Sequence, residues 1–335
     1  MGQPMASPFR WPSPEWQLVV RASAPTPHNV DAHRVDWSHA TAIALQQRVY
    51  PRAFAQLSRL LPPDQRSELQ AQVTRNARAA LANAARTVAV VRLLEEAGVE
   101  SIVLKGPLLA RQLYGDLAAR VAGDVDVLVP ESRLLVAARA LANAGYLPQT
   151  PITPASLRRM RKAEHDVAFV HPADRILVEL HADIAQPHYG YRPDLGAWWE
   201  ARRPTEIGDT KISVLSPEHA YLLSVLHAAK HRWNRLDLVM DLAAYAESDM
   251  DRAAVRRAAA QAWLLRPLEV GEAVVTSVYG EAAPGSALVR QAMSQMVDAR
   301  ELGRWSGLRF DVQLRDRLAD KAHYVWRRLV SAKLP

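Results

Sequence analysis

The sequence predicts an α+β chain, with helices at both ends around a middle third in which short strands and helices alternate. Three observations carry this. Gly is scarce, 14 of 335 residues, while Ala and Leu are plentiful, which favours helix. Short apolar runs bounded by turn residues lie at 101–104, 125–129, 167–170 and 176–181. From Ser216 onward strand signals vanish.

Taken in order, residues 1–36 hold six prolines and read as a mobile arm, with one short strand at Trp16 to Arg21. Residues 37–98 read as N-terminal helices. Apolar residues recur at helical spacing from Trp37 to Leu61, where Pro62 and Pro63 stop them. Asp64 can cap a second helix that runs to about Ala97 and closes at Gly98. Residues 99–214 form the α/β core. It has strands at 101–104 and 125–129, helices at 108–114 and 131–144, and a hairpin of 167–170 with 176–181 turned at 172–174. Residues 215–335 form a C-terminal helical domain, with helices at 216–232, 235–247, 251–264, 266–279, 285–300 and 311–331. Ser216-Pro217-Glu218 starts it with a cap followed by Pro at the first helical position.

Composition excludes several classes. With 49 % apolar and 23 % charged residues, the chain is neither disordered nor fibrous. No apolar run approaches the roughly 18 residues of a membrane span, and no signal-peptide core follows Met1. Cys is absent, so disulfides, zinc–thiolate sites, iron–sulfur clusters and thiol nucleophiles are excluded. That fits a reducing compartment, and a cytoplasmic location is expected. A net charge of +7 suits an anionic partner such as a nucleotide. The basic C-terminus (Arg315, Arg317, Lys321, Arg327, Arg328, Lys333) is interleaved with Asp316 and Asp320 and reads as a solvated helix. No nucleic-acid recognition motif is present, so neither nucleic acid nor membrane is expected as a partner.

The chemistry concentrates in Gly123-Asp124-Val-Asp126-Val-Leu-Val129. Alternate strand residues share a face, so Asp124 and Asp126 point the same way off an apolar strand. Paired carboxylates repel, and a cation between them relieves this. Oxygen ligands select Mg²⁺ or Mn²⁺, the ions of two-metal phosphoryl and nucleotidyl transfer. Lys105-Gly106 stands between a strand and a helix, where free amides and an ammonium can meet a phosphate. Glu179 and His181 share one face of the 176–181 strand. Glu179 can complete a metal site or act as base, and His181 can orient Glu179 or the substrate. Asp183 is a fallback for the third acid. Arg120 can stabilise charge on a transferred phosphate. His227, Lys230 and His231 share one helix face, with Asp241 on the following helix. They are candidates for an acceptor cleft, and also read as a plain surface face.

The run Ile102-Val-Leu-Lys-Gly-Pro107, Leu113-Tyr-Gly-Asp116, Arg120 and Gly123-Asp-Val-Asp-Val-Leu-Val-Pro130 resembles the uncharacterised nucleotidyltransferase family of the polymerase-beta superfamily. Val178-Glu-Leu-His181 and the His227 and Asp241 helices extend the likeness over about residues 37–335. It implies a small mixed sheet flanked by helices, with the Asp pair on a central strand. It also implies that Asp124 and Asp126 bind Mg²⁺, that Glu179 is the third carboxylate, and that Lys105 and Gly106 lie at the triphosphate. Two departures stand out. Lys-Gly-Pro replaces the superfamily's usual Gly-Ser, and the stretch from Gly106 to Asp124 is longer than usual.

The expected activity is Mg²⁺-dependent transfer of NMP from an NTP to a hydroxyl or amine acceptor. Asp124, Asp126 and Glu179 would be catalytic, and Lys105, Gly106, Arg120 and His181 would face the nucleotide. The acceptor is open: a peptide, protein, small molecule, sugar or RNA end. The alternatives are a kinase-like phosphotransferase using the γ-phosphate at the same site, and a catalytically idle binding module.

Overall fold

The computed structural model describes residues 10–26, 32–121, 123–157, 166–186, 189–280, 282–298 and 303–331. Helix α1 (Pro14–Ser23) follows Ser13 with Pro14 at its first position. This corrects the expected strand at Trp16 to Arg21. A Pro there costs no hydrogen bond, because the first amides of a helix have no partner in any case. Trp16, Leu18, Val19 and Val20 are buried, so this part of the expected arm belongs to the core. The rest of that arm at 1–9 and 27–31 lies outside the described residues.

The single helix expected from Trp37 to Leu61 is two, α2 (Trp37–Gln46) and α3 (Tyr50–Leu57). Arg48 between them has φ +59°, in the left-handed region, and Pro51 opens α3. Helix α4 (Pro63–Glu96) starts at Pro62, so Asp64 lies in its first turn rather than capping it. Gly98 closes it with φ +66°.

The core follows as β1 (Ile102–Val103), α5 (Pro107–Tyr114), β2 (Val125–Leu128), α6 (Leu134–Asn143) and β3 (Leu147–Pro148). Then come β4 (Asp166–Val170), β5 (Leu177–His181), α7 (Leu195–Glu200), β6 (Arg203–Ile207) and β7 (Thr210–Val214). One mixed sheet results, in the order β3-β4-β5-β2-β1-β7-β6. β2 is central, parallel to β5 and antiparallel to β1. Its residues are all buried, as a central strand covered on both faces requires. β3, α7 and the β6–β7 hairpin were absent from the sequence reading.

Helices α8 (Pro217–Lys230), α9 (Leu236–Ala246), α10 (Arg252–Gln261), α11 (Leu265–Tyr279) and α12 (Ala287–Asp298) complete the chain with α13 (Arg304–Gln313) and α14 (Leu318–Ser331). The helix expected over 311–331 is therefore broken at Leu314 to Arg317. There Asp316 accepts the backbone amides of Leu265 and Arg266 at 3.0 and 2.8 Å, capping α11. Arg315, expected in a solvated helix, is 2 % exposed and lies over the rings of Tyr324, Tyr189 and Tyr191.

A single apolar cluster joins α1, α2 and α3 to α8, α9, α11 and α12. A second fills the space between the sheet, the end of α4 and α6. Among the described residues no helix is long and apolar enough to cross a membrane.

Candidate active site

Strand register assembles the acidic site. Across the parallel β2–β5 pair, Asp126 faces Glu179 and Leu128 faces His181. Period-2 alternation then puts Glu179 and His181 on the face that carries Asp126. His181 Nε2 lies 3.0 Å from Asp126 Oδ1 and 3.5 Å from Glu179 Oε2. From the turn between β1 and α5, Lys105 Nζ reaches the same Asp126 oxygen at 3.2 Å.

These contacts decide the charge states. Burial alone would raise Asp126, but Lys105 and His181 outweigh it and hold the carboxyl far below its ordinary range. His181 is pushed up to about 9, because its hydrogen bonds to Asp126 and Glu179 overcome its burial. Asp124, just before β2, is raised by burial and by repulsion from Asp126 and Glu179. Carboxylates crowded in this way form a site for positive charge.

The donor set suits a divalent cation. One ligand atom each from Asp126, Glu179 and His181 lie within 4.8 Å of one another. The two carboxylates suit Mn²⁺ or Mg²⁺, while His181, holding its proton between them, keeps them in place. Asp124 is not in this close group, but it lines the same cleft and lies near enough to Asp126 and Glu179 to be repelled by both.

The acids open into a cleft of about 410 Å³ between the sheet and α8. Lys105, Asp124, Glu179 and His181 line the sheet side, and His227, Lys230 and His231 line the helix side. His227 is held well below its ordinary value, first by burial and then by Lys105 and His231. His231 falls to about 4 through burial, with Arg235 and Lys230 repelling its proton. The helix wall is therefore a Lys with two neutral imidazoles facing the acids.

Three residues singled out from the sequence fall elsewhere. Arg120 and Asp241 bond to each other, Nη2 to Oδ2 at 2.7 Å and Nε to Oδ1 at 2.9 Å. Tyr114 adds its hydroxyl to Asp241 Oδ1 at 3.0 Å. Arg120 thus reaches a carboxylate rather than the cleft, and Asp241 is buried and does not line the cleft. Asp183 accepts the amides of Ile184 and Ala185 and does not line the cleft. Gly106 caps α5 with φ +76° and ψ −148°, a backbone conformation open to Gly. A Cβ there would sit 3.6 Å from the Asp124 carbonyl.

The sequence reading missed Asp166 and Tyr189, which also line the cleft. Asp166 faces His181 across the β4–β5 pair. Its signal in the sequence was an acidic pair with Glu164 at a strand start, a spacing that recurs elsewhere in the chain and so carries little weight alone. It also missed Asn76 and Asn83, two buried amides on the apolar stripe of α4, which hold the loop before Asp124.

A family model described as "uncharacterised nucleotidyltransferase" matches residues 33–280, about three quarters of the 335-residue chain. Among solved structures, the chain is similar to an antigenic nucleotidyltransferase-like protein from Paracoccidioides brasiliensis. Identity is 14 %, the alignment covers 72 % of this chain and 96 % of that one, and the TM-score is 0.30. No curated protein matches.

Proposed function

Because the chain belongs to the uncharacterised nucleotidyltransferase family, we propose that it moves a nucleotidyl group from an NTP to a hydroxyl or amine acceptor. One observation supports this above the rest. Asp124, Glu179, Lys105 and Lys230 line one cleft, and buried Asp126 is bonded to two residues of its wall, Lys105 and His181. Asp124, Asp126 and Glu179 would hold Mg²⁺ or Mn²⁺, which supplies charge neutralisation at the transferred phosphate when bound. Glu179 completes that set or takes the acceptor's proton. Lys105 and Lys230 face the phosphates from opposite walls, while His181 fixes the orientation of Asp126. The acceptor oxygen or nitrogen bonds to the α-phosphorus and pyrophosphate leaves. Catalysis of this kind rests on positioning and electrostatics. Such an enzyme would work in the cytoplasm, where nucleoside triphosphates are held.

Calorimetric titration of ATP, GTP, CTP and UTP with Mn²⁺ or Mg²⁺ tests the reading on wild type and on Asp124→Ala/Asp126→Ala. Metal-dependent binding of a nucleotide, lost in the double variant, supports it. The product then separates pyrophosphate release from the ADP of a kinase. No nucleotide binding at all would return the chain to a binding module.

A further inference from the structure

Between α5 and β2 the described residues 115–121, 123 and 124 form no helix or strand, so their carbonyls need partners from outside. Helix α4 supplies them. Asn76 Nδ2 donates to the carbonyls of Ala118 and Arg120 at 2.8 and 2.9 Å. Asn83, seven residues on and so on the same face, donates its Nδ2 to the carbonyl of Gly123. Both amides are at most 5 % exposed. A buried amide costs stability unless it is hydrogen-bonded, and Ala would fit an apolar helix stripe without that demand. The stripe around them is otherwise ordinary packing, with Ala80, Ala84, Val90 and Leu94.

What they hold is specific. Gly123 is the residue before Asp124. From the other side, Leu104 N donates to the Asp126 carbonyl at 3.0 Å. The Asp124–Asp126 segment is thereby pinned at both ends, by α4 and by β1.

We propose that Asn83, seconded by Asn76, is a positioning residue that sets the place of Asp124 relative to Asp126 for a divalent cation. The proposal rests on the functional reading above, and it concerns the free protein's affinity for metal. Outer-shell hydrogen bonds made to metal ligands themselves are typically worth about 10–100-fold in affinity, and Asn83 acts one peptide removed, so the lower end of that range is expected.

The test uses the full chain and Mn²⁺ alone, read from the signal of free Mn²⁺ by electron paramagnetic resonance. Asn83→Ala and the near-isosteric Asn83→Asp, which sets a carboxylate against the carbonyl, are compared with Arg86→Ala. Arg86 lies on the same helix but holds Asp174 and Tyr146, remote from the acids. Thermal midpoints are recorded for all. About tenfold or greater weakening in both Asn83 variants, with wild-type affinity in Arg86→Ala at similar loss of stability, is the expected result. If the Asn83 variants do not fold, Asn76→Ala carries the same comparison. Wild-type Mn²⁺ affinity in folded Asn83 or Asn76 variants overturns the proposal while leaving the acid site intact. Absence of Mn²⁺ binding by the wild type overturns both.

Discussion

Arg120 and Asp241, 121 residues apart, close a buried ion pair that ties the loop before β2 to helix α9. Burial alone would loosen the proton of Arg120, but Asp241 outweighs it and holds that proton more tightly than usual. Removing one partner leaves a buried uncompensated charge. Asp241→Leu or Arg120→Met should each lower unfolding free energy by about 3–5 kcal/mol. The double replacement should recover most of that loss, because two apolar side chains leave no charge stranded. Urea unfolding of the three variants measures it. Equal loss in the single and double variants would refute a pairwise bond.

Lys105 competes for the site it guards. Its ammonium sits 3.2 Å from Asp126 Oδ1 and neutralises part of the acid cluster. Lys105→Ala should therefore bind Mn²⁺ alone more tightly and NTP more weakly. A tenfold change in each direction corresponds to about 1.4 kcal/mol. Metal and nucleotide titrations run separately would reveal the split, and parallel loss of both affinities would contradict it.

The pH profile follows from His231. Its folded value near 4 lies below the ordinary 6.5, so the unfolded chain binds more protons in between. Its contribution to stability is present above about pH 6.5 and is lost as pH falls toward 4. His227 acts in the same direction. The urea midpoint should drop from pH 7 to pH 4.5, and His231→Asn should drop less. An unchanged slope would remove His231 from the account.

Gly106 carries a backbone conformation that Ala avoids, with room for the methyl group itself. Gly106→Ala should cost about 1–3 kcal/mol from strain. The strain falls beside the Asp124 carbonyl, so metal affinity should decline with it. A thermal melt and an Mn²⁺ titration check both, and a variant as stable as wild type would show that the loop relaxes freely.

Trp16 tests the corrected N-terminus. It is 5 % exposed within α1, so Trp16→Ala should destabilise the protein by about 3–5 kcal/mol. A loose arm would show no change on denaturant unfolding.

Legibility of the sequence tracked how local each signal is. Apolar runs bounded by turn residues were enough for β1, β2, β4 and β5, and of the Gly123-Asp-Val-Asp126 run Asp126 lies on β2 while Asp124 precedes it. Ser216-Pro217-Glu218 was read as a helix start, yet Ser13-Pro14-Glu15, the same tripeptide, was passed over amid neighbouring prolines. The β6–β7 hairpin turns at Gly208-Asp209, with φ +60° at Gly208. That two-residue Gly-first turn was present in the sequence, but the flanking strands are too polar to show as apolar runs. Arg120 was beyond local reading, because a phosphate and a buried Asp ask for the same guanidinium.

The seam between the chain's two ends bears on the order in which it folds. Ser23 Oγ meets Tyr279 Oη at 3.2 Å across 256 residues, and Gln47 Nε2 donates to the Met296 carbonyl at 3.0 Å across 249. At roughly 5–20 residues per second, a ribosome needs about 13–50 s to make that intervening stretch. The first helices must wait that long with part of their apolar surface uncovered. Closure of this core is a late, long-range event, and until it occurs the early-made helices carry apolar surface open to aggregation.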